Sequence, residues 1–151
     1  MEIHGKVVAI AGGRGGLGQT VTQAFAKAGA RVIVIDRHAT NQPQANELGI
    51  DADVTDESSV ARAIGQALDH AGRLDCLVNL VGAFASGRVA ETSPATWNTM
   101  ISLNLTTAFL LSRAVIPHFS NQRAGRIIHI ARVRGRIPFL ELLRILWQSP
   151  A

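Results

Sequence analysis

The sequence predicts an α/β protein built on a doubly wound parallel sheet of about five strands. Three observations lead to this prediction. Short apolar runs alternate with segments in which apolar residues recur at helical spacing. A β-branched run follows the first helical segment directly, which favours a right-handed strand-helix-strand unit with parallel strands. Glycines cluster between the first strand and the first helix, at 12–18. Such alternation places helices on both faces of one sheet.

The predicted elements follow in order along the chain. We expect strands at 7–11, 31–35, 50–54, 74–81 and 126–131. One helix follows the glycines, and a loop with a weak helix occupies 38–48. A second helix starts after a cap at Thr55 or Asp56, with apolar residues along one face.

The third predicted helix is the longest. Ser93 is a suitable cap, and Pro94 suits the first helical position. Apolar residues then recur at Trp97, Ile101, Leu105, Phe109 and Val115. This spacing predicts a helix that ends near Pro117.

The composition favours one soluble globular domain, because 47% of the 151 residues are hydrophobic and 17% are charged. No apolar stretch approaches the roughly 20 uninterrupted residues of a membrane helix, and the start lacks a signal-peptide pattern. We therefore expect a cytoplasmic protein without a membrane partner. Cys76 is the only cysteine, so neither an intrachain disulfide nor a cysteine metal cluster is expected, and no metal site is predicted.

The net charge of +4 raises the question of nucleic-acid binding. The arginines crowd toward the end of the chain, without interleaved aromatic residues and without helix-turn-helix spacing. We therefore expect no nucleic-acid partner.

The glycine cluster has the spacing of a dinucleotide-binding loop. Gly12, Gly16 and Gly18 permit a tight turn and bring backbone N–H groups close to a pyrophosphate at the start of a helix, in the manner of Rossmann sheets. Arg14 and Leu17 lie within this loop and are included in the predicted site. Asp36 ends the second strand twenty positions after Gly16, where a carboxylate grips the adenosine ribose hydroxyls.

The residues around Asp36 favour NAD over NADP as the cofactor. The carboxylate binds the ribose hydroxyl and repels the extra phosphate of NADP. Arg14 and Arg37 argue in the other direction, since either cation could attract that phosphate, although Arg37 could equally be a solvated loop charge.

In motif order, the chain resembles the short-chain dehydrogenase/reductase family over about residues 3–131. Residues 11–18 resemble its Thr-Gly-x-x-x-Gly-x-Gly loop, with alanine in the threonine position. Asp53 with Val54 resembles the family's adenine-contacting pair. Residues 79–82 resemble its Asn-Asn-Ala-Gly motif at the first and last members, Asn79 and Gly82, and depart from it in the middle, where Val81 is still included in the predicted site. Asn104 matches a helix asparagine of the family. The resemblance implies an NAD(P)-binding oxidoreductase in which Asn104 anchors a water of the proton relay.

The resemblance stops where the family's catalytic residues are expected. Family members carry a serine after the fifth strand and a Tyr-x-x-x-Lys motif on the next helix. This chain contains no tyrosine, its lysines are Lys6 and Lys27, and the serine region contains Ala131 and Arg132. Arg132 cannot act as a general acid near pH 7. His129 could transfer a proton, or could be a strand histidine satisfied by its neighbours.

We divide the chain into a dinucleotide-binding domain, 1–136, and an apolar tail, 137–151. As a helix, the tail would be apolar on nearly every side, with Glu141 and Arg144 as its charged residues. It is either a dimerisation helix or a segment foreign to the fold. A shifted reading frame between residues 144 and 149 can encode Tyr-x-x-Ala-Lys. The alanine follows from every possible choice of codons, whereas the tyrosine and the lysine follow only from some. A frameshift after the fifth strand is therefore one hypothesis.

Three functions remain open from the sequence. The first is a catalytically incomplete dehydrogenase/reductase that keeps its NAD site. The second is an active NAD-dependent oxidoreductase that uses unusual residues or a partner chain. The third is a non-catalytic NAD-binding interaction protein. The chain could also form a homo-oligomer, and the sequence identifies no substrate.

Overall fold

Five parallel strands form a single sheet in the computed structural model, which describes residues 2–41 and 47–131. The strand order is β3-β2-β1-β4-β5, so the chain moves outward from β1 to one edge and then returns to build the other side. The strands are β1 (Val7–Ala11), β2 (Arg31–Asp36), β3 (Glu47–Asp51), β4 (Cys76–Asn79) and β5 (Arg126–His129). The predicted α/β fold class with a doubly wound sheet is confirmed.

Within residues 2–41 and 47–131, four α-helices connect these strands. They are α1 (Gly16–Lys27), α2 (Glu57–Ala71), α3 (Pro94–Ile101) and α4 (Thr107–Gln122). Short 3-10 turns occupy Ala39–Asn41 and Val89–Glu91, and a π-helical turn, Ser102–Thr106, joins α3 to α4.

Side-chain caps begin α2 and α3. The Asp56 carboxylate accepts from the backbone N–H of Ser59 at 2.7 Å, and the Ser93 hydroxyl accepts from that of Thr96 at 3.1 Å. Both caps satisfy N–H groups that have no partner within the helix. Of the two predicted caps for α2, Asp56 is the one used.

The hydrophobic core lies on both faces of the sheet, because alternate residues of each strand point to opposite sides. On one face, α2 and α4 cover Val7, Ala9, Ile33 and Ile35. On the other face, α1 packs near Val8, Ile10, Val32, Val34, Cys76 and Val78. All the named strand residues are buried, which fixes the sheet as a rigid layer beneath the loops.

Several predicted boundaries are wrong. The third strand runs from Glu47 to Asp51 instead of 50–54, and residues 52–54 already belong to the connection to α2. The last two strands are shorter than predicted, and α4 continues through Pro117 to Gln122. Proline is tolerated there, within a helix that is held by the buried side chains of Val115 and Phe119. Residues 42–46, Arg132 and the predicted tail 137–151 lie outside the described residues.

The apolar residues that predicted the long helix face mostly outward. Trp97, Leu105 and Phe109 are 61%, 62% and 59% exposed, whereas Leu111 and Val115 are buried against the sheet. Pro94–Gln122 is long and apolar enough to cross a membrane by length and composition alone. Because its buried face covers the sheet, this stretch is a helix of the α/β fold and weak support for any membrane role.

Candidate functional site

A cleft of about 930 Å³ opens at the carboxyl ends of β1, β2 and β4. This is the edge of an open α/β sheet at which ligands bind, and the volume suits a cofactor-sized molecule. The predicted site residues that line the cleft are Gly12, Arg14, Asp36, Arg37, Asp53, Val54, Val81 and Gly82. Gly16, Leu17 and Gly18 form the adjoining first turn of α1, and Asn79 ends β4.

The glycines of the loop allow backbone to approach backbone. Gly12 has φ +79°, and a Cβ there would lie 3.1 Å from a methyl group of Val81. A Cβ at Gly18 would lie 2.1 Å from the carbonyl oxygen of Gly12, so only glycine permits α1 to start this close to the loop. A Cβ at Gly16 would meet nothing within 4 Å, which leaves open space beside the helix start.

Helix α1 begins without the side-chain cap that α2 and α3 have. Its N-cap is Gly15, no side chain accepts from its first turn, and no acidic residue lies in that turn. The first N–H groups of a helix, together with its dipole, favour a bound anion. A phosphate-bearing ligand suits this helix end. Leu17, in the same turn, is 55% exposed.

Asp36 joins the second strand to the glycine loop. Its Oδ2 accepts from the backbone N–H of Arg14 at 3.0 Å, and its Oδ1 accepts from that of Arg37 at 2.8 Å. Each carboxylate oxygen has a second lone pair, so Asp36 can still accept hydrogen bonds from a diol in the cleft.

The two arginines beside Asp36 differ in their surroundings. The guanidinium of Arg14 forms an ion pair with Glu47 and donates to the carbonyl oxygen of Ala39 from Nη2 at 2.7 Å. Its side chain is only 12% exposed. Arg37 is exposed at the rim, where its charge helps to lower the pKa of Asp53.

Asp53 forms a tight turn after β3. Its Oδ1 accepts from the hydroxyl and the backbone N–H of Thr55, at 2.7 and 2.9 Å, and these bonds lower the pKa of the Asp53 carboxyl. The turn is an Asx turn, and it positions the neighbouring buried Val54 against the cleft. Asp53 therefore stays ionised and shapes the loop.

Asn79 connects the ends of β4 and β5 through a polar network. Its Oδ1 accepts from the backbone N–H of Val81 at 3.0 Å, and its Nδ2 lies 3.3 Å from Nδ1 of His129. Ser112 donates its hydroxyl hydrogen to the carbonyl oxygen of Ala108 at 2.7 Å and lies 2.9 Å from Nε2 of His129.

These contacts assign a neutral tautomer to His129. Because the Ser112 hydrogen is used on Ala108, Nε2–H of His129 donates to the Ser112 oxygen, and Nδ1 accepts from Asn79. Burial also lowers the pKa of His129. Both ring nitrogens are occupied, as expected for a strand histidine that is satisfied by its neighbours.

Asn104 lies in the π-helical turn and clamps the loop after β4. Its Oδ1 accepts from the backbone N–H of Ala83 at 3.1 Å, and its Nδ2 donates to the carbonyl oxygens of Ala83 and Met100, at 3.0 and 2.8 Å. Gly82 is close by, because a Cβ there would lie 2.9 Å from Oδ1 of Asn104. The asparagine therefore fixes the wall of the cleft beside Gly82.

Sequence reasoning missed part of the cleft wall. Thr55 and Ala83 belong to the site through their hydrogen bonds to Asp53 and Asn104. A polar row also lines the cleft from α3 and the π-helical turn, and its members are Asn98, Thr99 and Ser102. Helical spacing alone did not reveal this row, because Asn98 falls beside Leu105 on an ideal helical wheel.

The family assignment follows from comparison with known proteins. A family model described as short chain dehydrogenase matches residues 6–143. The chain belongs to the short-chain dehydrogenase/reductase family. The resemblance inferred from the motifs is thereby confirmed, and so are membership of an oxidoreductase family and the Rossmann sheet. Members of this family bind a nicotinamide dinucleotide.

Individual relatives agree with this assignment. An uncharacterized oxidoreductase from Schizosaccharomyces pombe is 33% identical over 138 residues, which are 91% of this chain and 54% of that protein. The solved structure of a 3-ketoacyl-(acyl-carrier-protein) reductase from Brucella melitensis complexed with NADH has a TM-score of 0.77 at 27% identity. It covers 85% of this chain and 58% of that one.

A second structure belongs to a putative short-chain dehydrogenase/reductase from Burkholderia xenovorans, with a TM-score of 0.79 and 34% identity. The match covers 86% of this chain and 57% of that one. The short-chain dehydrogenase/reductase described here thus spans little more than half the length of these relatives.

Proposed function

We propose that this chain binds NAD in the cleft at the carboxyl ends of β1, β2 and β4. One hydrogen bond supports the proposal best. The backbone N–H of Arg14 donates to the Asp36 carboxylate at 3.0 Å, and this bond links two features of the site. One feature is the uncapped start of α1 beside Gly16, which suits a pyrophosphate. The other is the carboxylate itself, which suits the adenosine ribose hydroxyls.

The remaining predicted residues have supporting roles in this proposal. Val54 and Asp53 form the wall toward the adenine, Val81 and Gly82 lie along the inner wall, and Asn104 holds the loop that follows. A bound nicotinamide dinucleotide would supply the hydride chemistry of the family. The residues of this chain bind it, orient it and exclude water from the cleft.

The preference for NAD over NADP rests on charge. Asp36 faces the position where NADP carries its extra phosphate, and two negative groups repel each other there. The guanidinium of Arg14 is occupied by Glu47 and Ala39, so it offers no counter-charge to that phosphate. Arg37 is the exposed cation that remains nearby, and at a solvated rim its attraction is screened.

Calorimetric titration of the purified chain with NADH and with NADPH tests this assignment. We expect the wild type to bind NADH more tightly than NADPH. Asp36→Ala should reduce this difference in affinity, because it removes the repulsion between the carboxylate and the extra phosphate of NADPH. The matched control is Asp69→Asn, which changes the charge by the same amount at an exposed position of α2. Stronger binding of NADPH by the wild type would refute the assignment.

We further propose that the 151-residue chain does not turn over alcohols or carbonyl compounds. It contains no tyrosine and no lysine after Lys27. The hydrogen bonds to both ring nitrogens of His129 disfavour it as a substitute proton donor. Of the three functions that the sequence left open, this supports the incomplete dehydrogenase/reductase.

The turnover assay follows NADH absorbance with a broad panel of alcohols and carbonyls. We expect no rate above that of the buffer. Turnover that persists through purification and disappears in His129→Ala would instead establish an active enzyme with unusual residues. Binding of NADH together with a specific protein partner would favour the non-catalytic interaction protein.

The proposal extends to self-association and to cellular location. The exposed apolar residues Trp97, Leu105 and Phe109 lie along one helical stretch, and such a patch favours contact with a second copy. We place the protein in the cytoplasm. Cys76 is a free, buried cysteine, as is common in proteins of reducing compartments.

The proposal for residues 137–151 is that a frameshift produced them. The family match includes residues 137–143 but does not continue into 144–149, the stretch in which a shifted frame can spell the missing motif. The nucleotide sequence beyond the codons of β5 tests this directly. A shifted frame that continues with family residues would support the proposal, and a shifted frame that meets an early stop codon would contradict it.

A further inference from the structure

The ion pair between Arg14 and Glu47 is the most deeply buried charge pair among the described residues. The side chain of Arg14 is 12% exposed and that of Glu47 is 2% exposed. Nε and Nη2 of Arg14 also donate to the carbonyl oxygen of Ala39, at 3.2 and 2.7 Å. The guanidinium is therefore enclosed beneath the 3-10 turn Ala39–Asn41, instead of being extended into the cofactor cleft.

Glu47 lies far from the carboxyl ends of the strands. It is the first residue of β3 and pairs with Val32, whereas Asp51, at the other end of β3, pairs with Asp36. The backbone of Arg14 contacts the Asp36 carboxylate in the cleft, while its side chain runs back toward the beginning of β3. Arg14 is thus held at both ends, and the charged end points away from the adenosine side of the cleft.

The two charged groups depend on each other. Oε2 of Glu47 is buried and has no hydrogen-bond partner among the described residues, so Arg14 is the counter-charge of this carboxylate. A buried charge whose partner is removed is strongly unfavourable, which holds the guanidinium in place. The negative charge of Glu47 also cancels the positive charge that Arg14 would otherwise contribute to the glycine loop.

We propose that Glu47 is a specificity-determining residue that disfavours NADP by sequestering Arg14. Guanidinium groups bind phosphate through paired, charge-assisted hydrogen bonds, and Arg14 is anchored directly beside Asp36. Without Glu47, the side chain can rotate into the cleft and bind the ribose phosphate of NADP. Glu47 acts through Arg14 and touches no cofactor. This inference rests on the proposed NAD site.

The test compares the NADPH and NADH affinities of the wild type, Glu47→Gln, and the double variant Glu47→Gln/Arg14→Gln. Glutamine keeps the shape of glutamate and removes the charge. We expect Glu47→Gln to tighten NADPH binding by about tenfold, the scale of one charge-assisted hydrogen bond, and to leave NADH binding nearly unchanged. The double variant should lose this gain, and added salt should reduce it.

The matched control is Glu57→Gln, which breaks the exposed ion pair of Glu57 with Arg113 and should leave both affinities unchanged. Melting curves establish that each variant is folded. An unchanged NADPH to NADH ratio in folded Glu47→Gln would overturn the inference, and so would a gain that survives in the double variant.

A second variant tests the inference separately, once melting curves establish that it is folded. In Arg14→Gln, the NADPH to NADH ratio should equal that of the wild type, because the sequestered guanidinium does not reach the phosphate. A selective loss of NADPH binding would show that Arg14 already contacts it and would overturn the inference. A wild type that binds neither dinucleotide would overturn the proposed function and this inference together. If the wild type binds NADH but the variants do not show the expected NADPH to NADH ratios, the inference alone is overturned.

Discussion

Gly18→Ala should destabilise the fold and abolish cofactor binding together. A Cβ at this position would lie 2.1 Å from the carbonyl oxygen of Gly12 and 2.7 Å from the backbone of Gly13. Both contacts are with backbone, so no side chain can rotate away. The start of α1 and the glycine loop would have to separate by roughly 1 Å, a displacement typical of an overpacked site.

The expected cost follows from two opposing contributions. Overpacking costs about 1–3 kcal/mol, and the gain from replacing a helical glycine by alanine offsets about 0.5–1 kcal/mol. The net loss of about 0–2.5 kcal/mol should lower the melting temperature by up to roughly 10 °C for a chain of this size. Thermal unfolding, followed by circular dichroism, measures it, and calorimetry with NADH measures the loss of binding.

Two matched glycine variants separate folding from binding. Gly65 lies inside α2 and Gly16 at the start of α1, and at neither position would a Cβ meet another atom within 4 Å. Gly65→Ala should raise the melting temperature slightly and leave NADH affinity unchanged. Gly16→Ala should also fold normally but weaken NADH binding, because its methyl group occupies the open space proposed for the pyrophosphate. The reasoning is refuted if Gly18→Ala behaves like Gly65→Ala in both assays.

Three further predictions concern stability. Burial lowers the pKa of His129, so its stabilising contribution is present above about pH 6.5 and is lost as pH falls toward its folded pKa. We therefore expect the free energy of unfolding to depend less on pH in His129→Gln than in the wild type, when both are unfolded between about pH 5 and 7. Asp56→Ala should cost about 1 kcal/mol in urea unfolding through loss of the α2 cap, and an unchanged midpoint would contradict this. Deleting 137–151 should preserve NADH affinity and improve or maintain solubility; unfolding on deletion would show that the segment belongs to the fold.

The doubly wound parallel sheet could be predicted from the sequence because each relevant signal is local. The run at Val7–Ala11, the glycines and Asp36 lie close together in the chain, and a right-handed crossover leaves few topologies open. The first and last residues of the strands, in contrast, depend on tertiary contacts. Gly49 allows β3 to start early, since a Cβ there would lie 2.5 Å from the carbonyl oxygen of Ala39, and this contact is invisible in the sequence.

The direction in which the long helix faces was also beyond sequence reasoning. The apolar spacing through Trp97, Leu105 and Phe109 is real, but the π-helical turn at Ser102–Thr106 changes the helical phase between α3 and α4. No residue of α3 or of the π-helical turn is buried, so the first part of the predicted stripe is exposed, and the sheet is covered by residues of α4 that include Leu111, Val115 and Phe119.

The sequence predicted the location of the site residues better than it predicted their contacts. Eight of the predicted residues line one cleft, since the ends of parallel strands meet at one sheet edge. Long-range partners could not be inferred, however. The pairing of Arg14 with Glu47 joins positions 33 apart, and that of Asn79 with His129 joins positions 50 apart. Both pairings change the chemical interpretation of the arginine and the histidine.

Site-resolved NMR of the ¹⁵N-labelled chain, titrated with NADH, tests the proposed site most directly. We expect saturable shifts in the amide signals of Gly16 and Gly18 at the start of α1, and of Arg14 and Arg37, whose N–H groups bind the Asp36 carboxylate. The amide of Gly72, at the opposite end of α2, should not move. Shifts that cluster away from the α1 start and Asp36, or no saturable shift at all, would contradict NAD binding in this cleft.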